Sequence, residues 1–463
     1  MVFFGLQYAL ANLVEQWDQN FFQKPKEKVI KRFARRVKNS IGAEYGSKMV
    51  ESLKKLHDLG YMPIEVRSIE EGNWVNMGIP LFVVNNTLEE FFWLVNYLET
   101  YLSAMVWPMS NSAMVSSQYR KTATKWAKMS AAPDFWIEIA CHCFAARGHR
   151  GIEDATISGM GHMLFSAGTD TGWAIDYIED YYGANSDEEL IGCSVNAFEH
   201  ATATQRIAYF RNVLGEEHAE RESVRDLLVN VYPTGILSYV ADSEDYFRFI
   251  SEDMAALKPE IEARKVDAQG LCKFVVRPDS SPKHPYEVIV GDDESDDPLQ
   301  RKGTLQILWD TFGGTVNEKG LRVINPKVGI IYGEAIDGEM QDKIYHGMIQ
   351  RGWCISNVLM GVGSWGFLKN ASRDSYSIAI KGTHSVVDDL EVSMQKNPKT
   401  ALDSKKSARG LLRVEKEGDM YVLYENQTHE QFQTGELKLS FRDGKFVNFQ
   451  LWKDVKSRAL AGL

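Results

Sequence analysis

The segment RPDSS at 277–281 places a guanidinium, a proline of fixed φ, a carboxylate and two hydroxyls directly after an apolar run. On a buried strand that is a polar cluster aimed at a ligand; the same composition also makes an ordinary type I turn. Other loops carry similar groups: Asp170 in GTDT, Glu199 beside His200 in FEH, Asp242 in ADSED and Glu334 in GEAID each follow a short apolar run. A histidine next to an acid can shuttle a proton or accept a phosphoryl group, although a single histidine also serves as a hydrogen-bonded structural residue. The glycine-rich GVGSWG at 361–366 is expected to open a helix, where backbone N–H groups could cradle a phosphate. Cys141-His142-Cys143 offers three soft ligands, but without a second cluster it lacks zinc spacing. There is no Walker A motif, no G-x-S-x-G elbow and no dinucleotide fingerprint. Taken alone, these residues point to an anionic, phosphorylated ligand.

Something must bring such loops to one face. The apolar runs Met163–Phe165, Leu190–Val195, Ile236–Val240, Phe274–Val276, Val328–Ile331 and Val358–Met360 are expected strands, each followed by one of these loops. Helical candidates lie between them at Glu244–Lys265, Gly303–Phe312 and Gly338–Trp353. Alternating strand and helix over this length predicts a parallel sheet, with a closed barrel favoured and a doubly wound open sheet as the competitor. In both, the loops at the strand ends form the ligand face. Residues 5–60 have helical spacing with a basic, solvated stretch from Lys24 to Lys38, Leu81–Val84 reads as a strand, and Leu88–Met105 as an aromatic helix. From Lys396 to Leu463 the pattern changes to alternating strands and turns, an expected antiparallel layer.

The 463 residues carry 52 Lys and Arg against 63 Asp and Glu, a net charge of −11. That balance disfavours broad contact with nucleic acid or an anionic membrane, so phosphate must be held locally. Five scattered cysteines do not form a secreted disulfide framework and fit a reducing cytoplasm. The most apolar stretch, 91–109, is interrupted by Asn96 and Glu99 and falls short of a membrane span.

The motifs together resemble the nicotinamide phosphoribosyltransferase family. The likeness runs from FFGLQY at 3–8 almost to the C-terminus. It rests on HCFAARG at 142–148, GTDT at 168–171, SVNAFEH at 194–200, SYVAD at 238–242, RPDS at 277–280 and SRD at 372–374, all in family order. The resemblance implies an irregular (β/α) barrel of the type II phosphoribosyltransferase kind plus a discontinuous α/β domain with antiparallel strands. The expected boundaries are 1–135, 136–370 and 371–463, the first and last being parts of the discontinuous domain. It implies a cytoplasmic homodimer that moves 5-phosphoribosyl from phosphoribosyl pyrophosphate to nicotinamide in NAD biosynthesis, with Mg²⁺, with ATP as an activating co-substrate, and with neither nucleic acid nor membrane as partner.

The same resemblance assigns roles. Phe144 would stack on the pyridine ring and Asp170 accept from the carboxamide. Arg147 and Arg277 would hold the base and phosphoribosyl region, Asp279 the ribose hydroxyls, and His200 would be phosphorylated by ATP with Glu199 and Asp242 beside it. Arg373, Lys381 and Lys396 would approach phosphates. Ser238, Gly333, Glu334 and Gly366 match further substrate-binding positions.

The sequence also departs from the family pattern. The family's N-terminal segment, which carries an aspartate, a ring-stacking tyrosine and a phosphate-binding arginine, precedes the FFGLQY region, whereas this sequence starts at Met1. The aspartate before the stacking phenylalanine is Cys143, an acidic GDG is GEA at 333–335, and a GSGGG-like stretch is GVGSWG. The expectation is a chain that dimerises but turns over poorly as it stands. A nicotinate-using transferase, or an incomplete relative that binds nucleotide or a partner subunit, are the alternatives.

Overall fold

Continuous apolar runs flanked by helical stretches make strands buried on both faces, and the computed structural model contains such a sheet. It describes residues 1–215, 218–279, 284–396 and 407–463; Ser280 and Ser281 lie outside the described residues. The chain divides into two units, one of residues 115–175 and 190–370, the other of 1–114, 176–189 and 371–463. The division at 114/115 lies inside the helix Leu94–Ser130, and 176–189 belongs with the second unit.

In the first unit six strands form one parallel sheet: β1 (Cys141–Cys143), β2 (Asn196–Phe198), β3 (Gly235–Val240), β4 (Cys272–Arg277), β5 (Val328–Tyr332) and β6 (Val358–Val362). Their order is β1-β6-β5-β4-β3-β2. The two edges are joined through residues 167–169. Cys143 N–H donates to the Gly168 carbonyl at 2.9 Å, and Thr169 N–H to that of Cys193, also at 2.9 Å, just ahead of β2. The parallel ring is therefore completed by single bridges at Thr169 and Cys193 rather than by a full ladder, an irregular barrel.

Alternation sets the two faces of each strand. Phe274 and Val276 of β4 are fully buried in the core shared with the surrounding helices, beside Val288, Ile289 and Leu305. Lys273, Val275 and Arg277 take the opposite, inward face. The register places Ala197 beside Ser238, Ser238 beside Val275, and Val275 beside Gly329, so this inner layer has mostly small residues.

Two expected strands are corrected. Met163 ends the helix Ile152–Met163, which is buried from Ala155 onward; a buried helix segment and a strand look alike in a short apolar run. The strand expected at Leu190–Val195 lies instead at Asn196–Phe198. The helix expected at Leu88–Met105 is Leu94–Ser130 and runs through Pro108. Its continuation was hidden because small polar residues, among them Ser110, Ser112, Ser116 and Ser117, are buried there. Helical segments cover most of Glu244–Lys265, but as short pieces.

The second unit contains an antiparallel sheet of four strands in the order Lys445–Phe446, Lys438–Arg442, Ile64–Ser68 and Phe82–Asn86, and two hairpins, His384–Ser393 and Arg413–Tyr424. The N-terminal helix Leu6–Trp17 is held by a buried carboxylate. Glu71 accepts from the backbone N–H groups of Gly5 (2.7 Å) and Gln7 (2.6 Å) and from the Tyr182 hydroxyl (2.9 Å). Gln450 and Arg458 complete the network, the Arg458 guanidinium donating to the Glu71 carbonyl and to Gln450 Oε1. Burial pushes the Glu71 carboxyl up, while those donors and Arg458 oppose the rise. Arg373, Lys381 and Lys396 belong to this unit and are exposed. No helix among the described residues is long and apolar enough to cross a membrane.

Candidate active site

β1 delivers Phe144 to the C-terminal end of the barrel, where its backbone N–H donates to the Val362 carbonyl at 2.9 Å. The ring occupies space that two glycines leave open. A Cβ on Gly361 would collide with the ring, and one on Gly333 would come within 2.8 Å of Asp279 Oδ1 and 3.4 Å of Phe144 Cε2. The Arg277 guanidinium carbon lies 5.7 Å from the ring centroid, within cation–π reach. Arg277 is 4% exposed; it donates to the Phe198 carbonyl at 3.0 Å and to Glu199 Oε1 at 3.2 Å. Its buried Nε has no hydrogen-bond partner among the described residues, which leaves a donor for a ligand.

Asp170 follows the bridging segment 167–169, and its N–H donates to the Cys143 carbonyl at 3.0 Å. Its Oδ1 accepts from His142 Nε2 at 2.8 Å and from Ser194 Oγ at 2.6 Å. Burial pushes the Asp170 carboxyl up, but the hydrogen bond and charge of His142, the Ser194 hydroxyl and the Arg277 guanidinium outweigh it and hold the group below its ordinary value. Asp170 is thus an ionised acceptor bonded to His142, whose ring centroid lies 4.8 Å from that of Phe144.

A second cluster forms where the helix His200–Leu214 begins, with Glu199 at its N-cap position. His200 Nε2 lies 2.9 Å from Asp242 Oδ1, and Asp242 Oδ2 accepts from the Asp279 N–H at 2.8 Å. The other imidazole nitrogen, Nδ1, is 3.8 Å from Asp279 Oδ2. Burial foremost, and then the carboxylates of Glu334, Asp242, Asp279 and Glu287, push the Tyr332 phenol up, so the acids at the ends of β3, β4 and β5 act on a common region. Glu334 is exposed, and Ala335 after it sits at φ +53°, a backbone region that favours glycine.

Residues 139–444 match the model of the nicotinate phosphoribosyltransferase (NAPRTase) family. This chain belongs to that family. The nicotinamide phosphoribosyltransferase of Acinetobacter baylyi (strain ATCC 33305 / BD413 / ADP1) is 38% identical over 460 residues, 99% of this chain and 88% of its own length. That of Xanthomonas campestris pv. campestris (strain 8004) is 29% identical over 355 residues, 76% of this chain and 68% of its own. That of Mycoplasma pneumoniae (strain ATCC 29342 / M129 / Subtype 1) is 27% identical over 336 residues, 72% of this chain and 66% of its own. Among solved structures, human nicotinic acid phosphoribosyltransferase aligns with 75% of this chain and 63% of its own at TM-score 0.39 and 17% identity.

The barrel of this phosphoribosyltransferase-family chain brings together Phe144, Asp170, Glu199, His200, Asp242, Arg277, Asp279 and Gly333. Ser238 is buried on the inward face of β3. Arg147 stands exposed on the turn Ala146–Gly148. Gly366 has a packing reason: a Cβ there would come within 2.7 Å of Val362 Cγ1, 2.8 Å of the Tyr119 hydroxyl and 3.0 Å of the Ile336 carbonyl. The helix that GVGSWG opens is only Ser364–Leu368, and the bulky Trp365 is 53% exposed with the Lys369 ammonium 4.3 Å from its ring centroid.

Among the described residues no group of three or more His, Cys, Asp or Glu is arranged to hold a metal ion. Asp242 is already engaged by His200 and Asp279. The sequence marks His142 only as a metal-ligand candidate beside Cys141 and Cys143, and marks Ser194 and Gly361 only as members of longer motifs.

Proposed function

We propose that this enzyme transfers the 5-phosphoribosyl group of phosphoribosyl pyrophosphate to the ring nitrogen of nicotinamide, giving nicotinamide mononucleotide and pyrophosphate in NAD salvage. The observation that carries the reading is Asp170, an ionised carboxylate fixed by His142 and Ser194, with the His142 ring centroid 4.8 Å from that of Phe144. Such a group accepts from a carboxamide NH₂ and repels the carboxylate of nicotinate. Phe144 orients the ring, and its neighbour Arg277, with an unused buried Nε, supplies a donor to the phosphoribosyl region. Names carried by the Acinetobacter, Xanthomonas and Mycoplasma relatives support the same substrate.

Cleavage of the bond between C1 and pyrophosphate builds positive charge on the ribose and negative charge on the leaving group. Asp279, held through its backbone by Asp242, is placed for the ribose hydroxyls and the developing cation. Mg²⁺, when bound with the diphosphate, would neutralise the leaving group, with Asp279 and Glu334 as the carboxylates available to it. Arg147 is assigned with Arg277 to the base and phosphoribosyl region, and Arg373, Lys381 and Lys396 to phosphate oxygens.

ATP acts as the activating co-substrate through His200. Because Asp242 accepts the Nε2 proton, Nδ1 carries the lone pair, and the side chain is 38% exposed. The γ-phosphoryl group passes from ATP to Nδ1 with ADP leaving, which adds negative charge beside the acids of the site. The enzyme is further read as a cytoplasmic homodimer. Exposed Phe92 and Tyr97 offer apolar surface for a second copy, and the described cysteines form no disulfide.

The test is steady-state kinetics with both bases. A preference for nicotinamide of roughly 10²–10⁴ in kcat/KM is expected from one lost hydrogen bond plus like-charge repulsion, and Asp170→Ser should narrow it. Equal kcat/KM for nicotinamide and nicotinate refutes the assignment.

A further inference from the structure

Two side chains meet Asp170 on one oxygen only. His142 Nε2 and Ser194 Oγ both donate to Oδ1, at 2.8 and 2.6 Å, and Oδ2 has no donor among the described residues. The Asp170 side chain is 39% exposed while that of His142 is 9% exposed, so the pair points a half-open carboxylate outward from a buried anchor. Two donors on a single oxygen remove the free rotation that would otherwise exchange Oδ1 and Oδ2.

The anchor is itself held. His142 lies on the inward face of β1 opposite Gly361, and its ring centroid is 4.8 Å from that of Phe144. Its second nitrogen, Nδ1, faces Gly168, where an added Cβ would sit 3.0 Å away. The Gly168 carbonyl accepts from His162 Nε2 at 3.0 Å, and His162 Nδ1 is 3.0 Å from Ser116 Oγ. His162 is neutral through the physiological range, because burial foremost holds it down to about 4. A neutral ring that donates to a carbonyl from Nε2 must accept from Ser116 at Nδ1, so its tautomer is fixed. The backbone of 168–170 is thus held by His162 while the carboxylate is gripped by His142 and Ser194.

We propose that His142 and Ser194 are positioning residues that present Asp170 Oδ2 as the acceptor for the base, and that they thereby set the choice between an amide-bearing and an acid-bearing pyridine. This rests on the nicotinamide reading above. With Oδ1 satisfied, a carboxamide NH₂ donates to Oδ2 and completes the set. A pyridine carboxylate meets the same oxygen with no proton to offer. Without the two donors the carboxylate can turn and be hydrated, and the orientation that distinguishes the two bases is lost.

The experiment uses the full chain as wild type and as His142→Ala, His142→Gln, Ser194→Ala and the double variant His142→Ala/Ser194→Ala. Each is assayed for kcat and KM with nicotinamide and with nicotinate at saturating phosphoribosyl pyrophosphate, and each is checked by thermal melting. The expected result is a roughly 10-fold or larger rise in KM for nicotinamide in each alanine variant, with kcat less affected. The nicotinamide-to-nicotinate ratio should fall about 10- to 100-fold in the double variant, and His142→Gln, which restores an N–H donor, should recover part of it. A purely structural role predicts instead a lower melting temperature with both bases affected alike. Because Ser194 is exposed, Ser194→Ala remains informative if His142→Ala does not fold. A wild type that prefers nicotinamide with variants that keep its ratio overturns this inference alone; a wild type that prefers nicotinate, or uses neither base, overturns the functional reading and the inference with it.

Discussion

His200 and Asp242 are joined by a single 2.9 Å hydrogen bond from Nε2 to Oδ1, while the other oxygen of Asp242 receives the backbone N–H of Asp279. One carboxylate therefore ties the imidazole at the head of a helix to the loop that follows β4. Any change in the protonation or phosphorylation of His200 is felt by Asp279 through one side chain.

Asp242→Asn should lower the rate of ATP-dependent phosphorylation by roughly 10²-fold, since an amide neither stabilises the imidazolium nor fixes its tautomer as a carboxylate does. His200→Ala should abolish acid-labile label and ATP enhancement while leaving basal transfer. Incubation with γ-labelled ATP followed by an acid-lability test, alongside assays with and without ATP, measures both. Retention of label in His200→Ala would show that another residue is the acceptor.

Gly361→Ala should weaken the site without touching any polar group. The new methyl collides with the Phe144 ring, and displacing a packed aromatic costs about 1–3 kcal/mol. KM for nicotinamide should rise by roughly one to two orders of magnitude, with a smaller change for phosphoribosyl pyrophosphate. Unaltered KM for the base would mean that Phe144 is not its platform.

Glu220 gives a pH dependence of stability. It is 2% exposed, its Oε1 accepts from the Tyr239 hydroxyl at 3.1 Å, and burial foremost raises its carboxyl to about 8 from an ordinary 4.5. Between those values the folded chain holds a proton that the unfolded chain has lost, so this group destabilises the fold increasingly as pH rises. The penalty is absent below about 4.5 and complete above about 8, on the order of a few kcal/mol. Glu220→Gln should flatten the fall in melting temperature between about pH 4.5 and 8, and an unchanged slope would assign it to other groups.

Glu71→Ala should be strongly destabilising, because three buried donors, on Gly5, Gln7 and Tyr182, lose their acceptor at once. Each unsatisfied donor costs about 1–3 kcal/mol. Glu71→Gln, which keeps the volume and one acceptor oxygen, should lose less. Calorimetric melting of the two variants beside wild type gives the comparison.

What the sequence disclosed follows its local regularity. β3, β4, β5 and β6 are continuous apolar runs and were legible to within two residues at each end. β1 was not, because Cys-His-Cys resembles a ligand cluster more than a strand. The closure at 167–169 has no periodic pattern at all, since it consists of single bridges that depend on where Cys143 and Cys193 come to lie. The motif histidine, acids and arginine were legible by type. The work of His142, Ser194 and Gly361 was not: it depends on which oxygen of Asp170 is engaged and which ring fills the place of a missing Cβ, and those are relations across the chain rather than properties of a residue.

The barrel's circumference is stitched by full ladders everywhere except at 167–169 and Cys193. Local opening is easiest where the fewest bonds must break together, so this seam is where the circle is most prone to breathe. Asp170 is the next residue along it, and its grip on His142 and Ser194 clasps the seam shut from the inside. A ligand that engaged Asp170 would therefore also fasten the least laddered stretch of the barrel wall, so that its binding and the opening of that seam would oppose one another.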